Sequence, residues 1–210
     1  MKKFQRSASL AGAAILIIGA IAWVGSLQSC GAINALANLA HLQFKLNDVG
    51  HVTLANVDLT NKHSISDFSV MDGLNLANAF RTQQFPLGLT LDVAAKNPNA
   101  TNQTFSSVQL TQFPWTLVLD GKQTISGGIG SPVSIPNGGT TEIIPLTASI
   151  DLKQFFADKG YDEVINLALA LAGQGGASHV QLLAQPTIGT QFGTFQYPNQ
   201  LTIVNTEFRS

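Results

Sequence analysis

Four histidines (His41, His51, His63 and His179) and five aspartates (Asp92, Asp120, Asp151, Asp158 and Asp162) are the side chains from which a proton-transfer or metal site would be built. Acid–base chemistry needs two titratable groups within hydrogen-bond reach, and a zinc-type site favours close spacings such as two histidines on one helical turn. No such spacing joins these histidines. Asp120 stands before Gly121 as in a hairpin turn, Asp151 and Asp162 stand where helices begin, and Asp158 falls on a solvated face. Ser126-Gly127-Gly128-Ile129-Gly130 has the glycines of a phosphate cradle but lacks the Lys-Ser/Thr that should follow, so it is expected to be a bend between strands. There is no Gly-x-Ser-x-Gly elbow. These patterns predict no catalytic residue, no metal site and no cofactor.

Cys30 is the only cysteine, which excludes an intrachain disulfide. Lys2, Lys3 and Arg6 precede an almost wholly apolar run from Leu10 to Val24, and small Ser29 stands just before Cys30. That order matches a secretory leader, and Leu27-Gln28-Ser29-Cys30 resembles the lipobox of bacterial lipoproteins, with Gln28 departing from the usual small residue. Residues 1–29 are therefore expected to be a signal peptide removed before Cys30, residues 30–41 a tether, and Cys30 the attachment point for palmitate-like acyl chains. Two other readings stay open. Cys30 would be a small buried hydrophobe, or residues 8–27, close to the roughly 20 needed to span a bilayer, would stay as an uncleaved anchor. Both membrane readings place the remaining chain outside the cytoplasm. Gly31 rather than Asp after the cysteine points to the outer membrane, facing the periplasm, by analogy with enteric bacteria.

Charged residues make up only 11% of the chain and the formal net charge is −1. Lys45, Lys62, Arg81, Lys96 and Lys122 are scattered singly, without the basic face a nucleic-acid binder needs. An apolar share of 45% is enough for a packed core.

The elements that follow read mainly as strands. Leu42, Phe44 and Leu46 alternate with polar neighbours; a turn is expected at Asn47 to Gly50, then Val52, Leu54, Val57 and Leu59 continue with a one-residue slip near Ala55-Asn56 that a bulge would explain. Asp72 is expected to cap a short helix within an insertion at 60–86. Leu87, Leu89, Leu91 and Val93 alternate up to Asn97-Pro98-Asn99; Trp115, Leu117 and Leu119 lead into Asp120-Gly121; and Ile144, Leu146, Ala148 and Ile150 alternate after the Pro136-Asn137-Gly138-Gly139 turn. Asp151 should cap a helix over 152–159 and Asp162 should begin a second, apolar on most sides and therefore buried, before Gly173. Val180, Leu182 and Ala184, then Leu201 and Ile203, return to β. Short strands separated by such turns predict an antiparallel β-sandwich over 42–210, with helices near 152–172 packed on it.

From Phe44 to Ile150 the pattern resembles the type-two late-embryogenesis-abundant proteins, whose shared unit is the water-stress-and-hypersensitive-response (WHy) domain. The resemblance is carried by Phe44-Lys45-Leu46, by Val52 to Val57 with Asn56 where glycine is expected, and by Asn97-Pro98-Asn99. It continues in Leu117-Val118-Leu119-Asp120-Gly121-Lys122, Ile135-Pro136 and Ile143-Ile144-Pro145-Leu146. It implies a sandwich like fibronectin type III and a non-enzymatic role in tolerance of desiccation and other stress, by protecting client proteins or membranes. It carries over no catalytic residue, and Asn97, Pro98 and Asn99 are expected to end a strand and shape a turn. The partners expected are a membrane, through the lipidated N-terminus, and client proteins or lipids, with no nucleic acid. Two other functions stay open: an envelope carrier of an apolar ligand, lidded by residues 60–86 and 163–172, and a hydrolase whose site is assembled from distant residues.

Overall fold

The computed structural model describes residues 42–99, 108–173, 179–190 and 193–204. The leader, Cys30 and the tether lie outside these residues.

One layer is a four-stranded antiparallel sheet in the order β2-β1-β3-β8, from β1 (Gln43–Leu54), β2 (Val57–Asp58), β3 (Pro86–Lys96) and β8 (Thr141–Asp151). Its spine is the β3–β8 pair, in unbroken register from Pro86 opposite Asp151 to Lys96 opposite Thr141. Strict alternation in both strands puts Leu87, Leu89, Leu91 and Val93 beside Ile150, Ala148, Leu146 and Ile144 on one buried face. Pro145 and exposed Thr and Ser side chains along β8 blunt this outer edge against pairing with another chain.

The second layer comprises two four-stranded sheets, β11-β10-β4-β7 and β12-β9-β5-β6. These are β4 (Val108–Gln112), β5 (Trp115–Leu119), β6 (Lys122–Gly127), β7 (Val133–Ile135), β9 (Val180–Ala184), β10 (Thr187–Thr190), β11 (Gly193–Gln196) and β12 (Leu201–Ile203). Both sheets stack the same four chain segments in the same order, because β4 runs into β5, β6 into β7, β9 into β10 and β11 into β12. They are halves of one layer folded across its width. Pro114, Pro186 and Pro198 lie on the fold line, where a residue without an amide donor cannot continue a ladder. The line is bridged by Gln185 N donating to Pro114 O (3.1 Å), Tyr197 N to Pro186 O (2.9 Å) and Gln185 Nε2 to Tyr197 O (2.8 Å). Trp115 is buried beside this line, and its indole N–H has no hydrogen-bond partner among the described residues.

The two layers also meet at their margins, where Leu46 N donates to Val204 O at 3.1 Å and β8 approaches β6 and β7. Between them Leu46, Leu54, Leu89, Leu91, Leu110, Leu117 and Leu182 are fully buried. Helix α3 (Tyr161–Ala172) packs against β1, burying Val164, Ile165, Leu167, Ala168, Leu169 and Leu171.

The mainly β sandwich with packed helices is the architecture the strand spacing predicts; several local expectations are corrected. No turn interrupts Asn47 to Gly50: β1 is one 12-residue strand with register shifts between Leu46 and Asp48 and between Gly50 and Thr53. Each shift brings an apolar residue back inward, giving the buried series Leu46, Val49, Val52 and Leu54, and His51 takes a left-handed φ of 50° there. Ala55-Asn56 is not a bulge but a two-residue hairpin turn with φ 46° and 64°, and asparagine tolerates the position where glycine is expected. The helix in the insertion, α1 (Val70–Arg81), is capped by Ser69 rather than Asp72; Asp72 completes a reciprocal box, its carboxylate accepting from Ser69 N at 3.0 Å while Ser69 Oγ accepts from Asp72 N at 3.1 Å. Asp151 does cap α2 (Leu152–Phe155), which is shorter than the expected 152–159. Asp162 is inside the first turn of α3, whose first free amide, Gly160 N, donates to Glu163 Oε2 at 2.7 Å.

Candidate functional site

The family-like triplet Asn97-Pro98-Asn99 closes β3 and is fastened to the glycine turn ahead of β8. Gly139 N donates to Asn97 O and Gly138 N to Asn99 O, both at 2.8 Å, while Asn97 Oδ1 accepts from Asn99 N at 3.2 Å. Asn97 is wholly buried and Asn99 nearly so. Burial of polar groups is tolerable only when their hydrogen bonds are made, and this triplet makes them by curling onto the turn. Gly138 and Gly139 adopt φ of 82° and 78°, a left-handed geometry that costs a residue with a Cβ about 1–2 kcal/mol. A methyl at Gly139 would also sit 3.4 Å from Lys96 Cε. Gly139→Ala should therefore lower the urea unfolding midpoint by the equivalent of about 1–2 kcal/mol; an unchanged midpoint would show that the staple is dispensable.

The carboxylates occupy structural posts. Asp151 Oδ1 accepts from Phe85 N at 3.1 Å and Lys153 N at 2.9 Å, tying the start of β3 to α2. Asp58 accepts from Thr60 N and Oγ1, which with the hydroxyl bond foremost hold its carboxyl below the usual aspartate value. Asp67 accepts from His63 N and Ser64 N; Asp72 accepts from Ser69 N and pairs with Lys62 at 3.1 Å. These backbone bonds, first His63 for Asp67 and Ser69 for Asp72, also depress both pKa values. A carboxyl whose folded pKa is depressed adds stability above its unfolded value of about 4, and that stability is lost as pH falls through the folded value. Amide exchange at the start of α1, corrected for its intrinsic pH dependence, should accordingly quicken below about pH 4.

Among the described residues one histidine side chain comes within 4.0 Å of a carboxylate. His179 Nδ1 lies 4.0 Å from Asp120 Oδ1, beyond hydrogen-bond range, with Lys159 Nζ 3.6 Å from the other oxygen and both partners 41% exposed. Asp120 and Gly121, at φ 49° and 77°, form the expected hairpin turn, and Asp120 N donates to His179 O. The next residue, Lys122, reaches across to donate to Phe155 O at the end of α2. Among the described residues no group of three His, Cys, Asp or Glu side chains is placed to hold a metal ion. Of the expected bend at 126–130 only Gly128 to Gly130 leave β6 toward β7; Ser126 and Gly127 are still strand, paired with Thr116 and Trp115, and a Cβ on Gly127 would come within 2.5 Å of the Trp115 ring.

Two surface hollows flank the insertion. One, about 390 Å³, is lined by Asn56, Asn75, Asn78, Thr82, Gln84 and Pro86; the other, about 240 Å³, lies among Asp48, His51, Thr60 and the end of α3. In the insertion α1 packs at β2, and α3 packs on β1. Behind α1, Phe80 meets Phe85 and Tyr161 edge-on at 5.7 and 5.3 Å, and Lys153 Nζ sits 4.4 Å from the Phe80 ring centre. This aromatic knot, which pattern reasoning missed, joins the insertion to α2, α3 and the sheet.

Tyr197, on the fold line, is held neutral by burial, which pushes its phenol up to about 12. A raised folded pKa means full stability below the unfolded value of about 10 and loss as pH climbs through the folded one. The chain has two tyrosines. Absorbance near 295 nm should show the second ionising only around pH 12, together with loss of near-ultraviolet dichroism.

No family model matches the chain, and no curated protein matches it. Among the solved structures it is similar to are the following three. One is an X-ray structure of a Northeast Structural Genomics Consortium target, with 8% identity over 79% of this chain and 88% of that one and a TM-score of 0.38. A crystal structure of a protein from Archaeoglobus fulgidus has 13% identity over 57% and 86%, with a TM-score of 0.30. A solution structure named as a late embryogenesis abundant protein has 18% identity over 97% and 94%, with a TM-score of 0.34. All three superpose loosely, and the fold class stands on this chain's own strand order. Among the described residues no helix is long and apolar enough to cross a membrane.

Proposed function

We propose that this chain is a non-enzymatic protective module, similar to the WHy domain, held at a bacterial cell envelope by acyl chains on Cys30. The supporting observation is where its reactive side chains are employed. Asp58, Asp67, Asp72, Asp151 and Glu163 all accept from backbone amides of turns and helix starts, so they position chain rather than a substrate. The leader and Cys30 supply the address, with the outer membrane facing the periplasm as the site. The surface supplies the activity: with few charges and many Asn, Gln, Ser and Thr side chains, it offers hydrogen bonds to membranes or client proteins as water is withdrawn.

Drying tests this directly. A labile enzyme, and separately dye-loaded liposomes, would be dried and rehydrated with the full-length protein and with an equal mass of an unrelated globular protein. Greater retained activity or less leakage with this protein is the expected result; equal protection by both would refute the proposal.

A further inference from the structure

Five large apolar side chains are left exposed by the described residues, and four fall within ten residues of the insertion: Ile65 (44%), Val70 (84%), Met71 (65%) and Leu74 (61%). On α1, Leu76 with half-buried Asp72, Gly73, Ala79 and Phe80 forms the inward face. Val70, Met71 and Leu74, three and four residues apart, share the opposite one. Ile65 comes from the single 3₁₀ turn just before the helix. The insertion therefore holds itself down with one side and presents a second apolar side to solvent.

We infer that this second face of α1 rests in the surface of a lipid bilayer, the membrane to which the N-terminus ties the domain; the inference rests on the tethered reading above. Reach supports it. The chain enters β1 at Gln43, β2 pairs with the far end of that strand at Thr53 and Leu54, and α1 packs at β2, so the tether meets the fold one strand length from α1. Residues 31–41 separate Cys30 from the first described residue. Fully extended they reach at most about 36–40 Å, close to the roughly 40 Å length of 12-residue β1. A domain on so short a lead can lay α1 on the bilayer, and the lead keeps the surface at high effective concentration. The chemistry of the face fits a neutral lipid boundary. Its nearest acids are engaged, Asp72 by Lys62 and Ser69 and Asp67 by His63 and Ser64, and no cluster of basic residues surrounds it to select anionic headgroups. A 12-residue helix is too short to span, but its apolar side can sit at the headgroup–acyl boundary.

The test uses the full-length protein in phosphatidylcholine vesicles floated on a density gradient. Met71→Trp places a reporter on the face, and Ile143→Trp, on the opposite edge strand β8, is the control; each emission is read as the difference from the parent protein, which already carries Trp23 and Trp115. The reporter on α1 should emit blue-shifted light and be quenched by lipids brominated near the headgroup, equally at low and high salt. The control should emit as in water. Adding Val70→Ser and Leu74→Ser, both at exposed positions, should cut the quenching several-fold while the far-ultraviolet dichroism is unchanged. Failure of the protein to float overturns the tether and this placement together. Flotation with a water-like emission at position 71 overturns the placement alone. A blue shift that grows with protein concentration and ignores brominated lipid assigns the face to a second copy of the chain, and equally overturns it.

Discussion

Phe113→Ala is expected to destabilise the domain by about 3–5 kcal/mol, the cost of emptying a large aromatic site in a packed core. Phe113 is fully buried on the fold line of the second layer, and its ring lies 5.7 Å from that of Phe44 on β1 in the facing layer. It therefore fills the inside of the bend and joins the layers at once. Its neighbour Pro114 offers the carbonyl that Gln185 grips across the line, so loss of the ring also loosens a polar bridge. Domains of this size have about 5–15 kcal/mol in total, so the variant should be marginal at room temperature. Urea unfolding followed by Trp115 fluorescence would show a large fall in midpoint with an unchanged slope. Phe195→Ala, on partly buried β11, should cost clearly less. Equal costs, or a Phe113→Ala cost under about 1 kcal/mol, would mean that the bend is held by its prolines rather than by packing.

That bend is also where the sequence was least legible. β3 and β8 are uninterrupted two-residue repeats facing one core, and their pattern predicts both strands, their burial and the turns that end them. β4, β10 and β11 went unrecognised. β10 is Thr-Ile-Gly-Thr and β11 is Gly-Thr-Phe-Gln, each too short and too polar to show a period, and their place is decided by neighbours distant in the chain. β4 does alternate, with Val108 and Leu110 buried, but Pro114 so soon afterwards disguises the way the same segment resumes as β5. Prolines in the strand pattern read as ends of strands; here they mark creases between halves of one layer. β1 illustrates the converse. Asn47, Asp48 and Gly50 are turn-forming types, yet bulges absorb them because three inward residues, Val49, Val52 and Leu54, gain more from burial than a turn at Asn47–Gly50 would. Helix starts were legible to within a residue or three. Side-chain caps act locally, but Ser69 and Glu163 compete for those posts with the nearby aspartates that pattern reasoning chose. The triplet Asn97-Pro98-Asn99 was readable as a turn. The Pro136-Asn137-Gly138-Gly139 turn was readable too; that the two are partners was not, because about forty residues and a whole hairpin intervene.

Cys30→Ser should abolish acylation and leader removal in a cell that processes lipoproteins, the largest functional effect expected of any single substitution here. Cys30 carries the only thiol of the chain, and a serine hydroxyl in its place, far less nucleophilic than a thiolate, should be neither acylated nor a substrate for cleavage beside a lipidated residue. The size of the effect follows from chain arithmetic. Each buried methylene contributes about 0.8 kcal/mol; one acyl chain holds a protein only marginally, whereas two or three anchor it firmly. Removal of all of them from a domain whose described helices cannot span leaves only the apolar leader and the weak contact of α1. The variant should accumulate with residues 1–29 still attached, stranded by that apolar leader in the membrane it was exported across, and its intact mass should lack any lipid increment. A parent protein whose mass retains Met1 to Ser29 and carries no acyl group would instead establish the uncleaved anchor. In that case Cys30→Ser leaves attachment untouched, and it is charges placed within Leu10 to Val24 that release the domain.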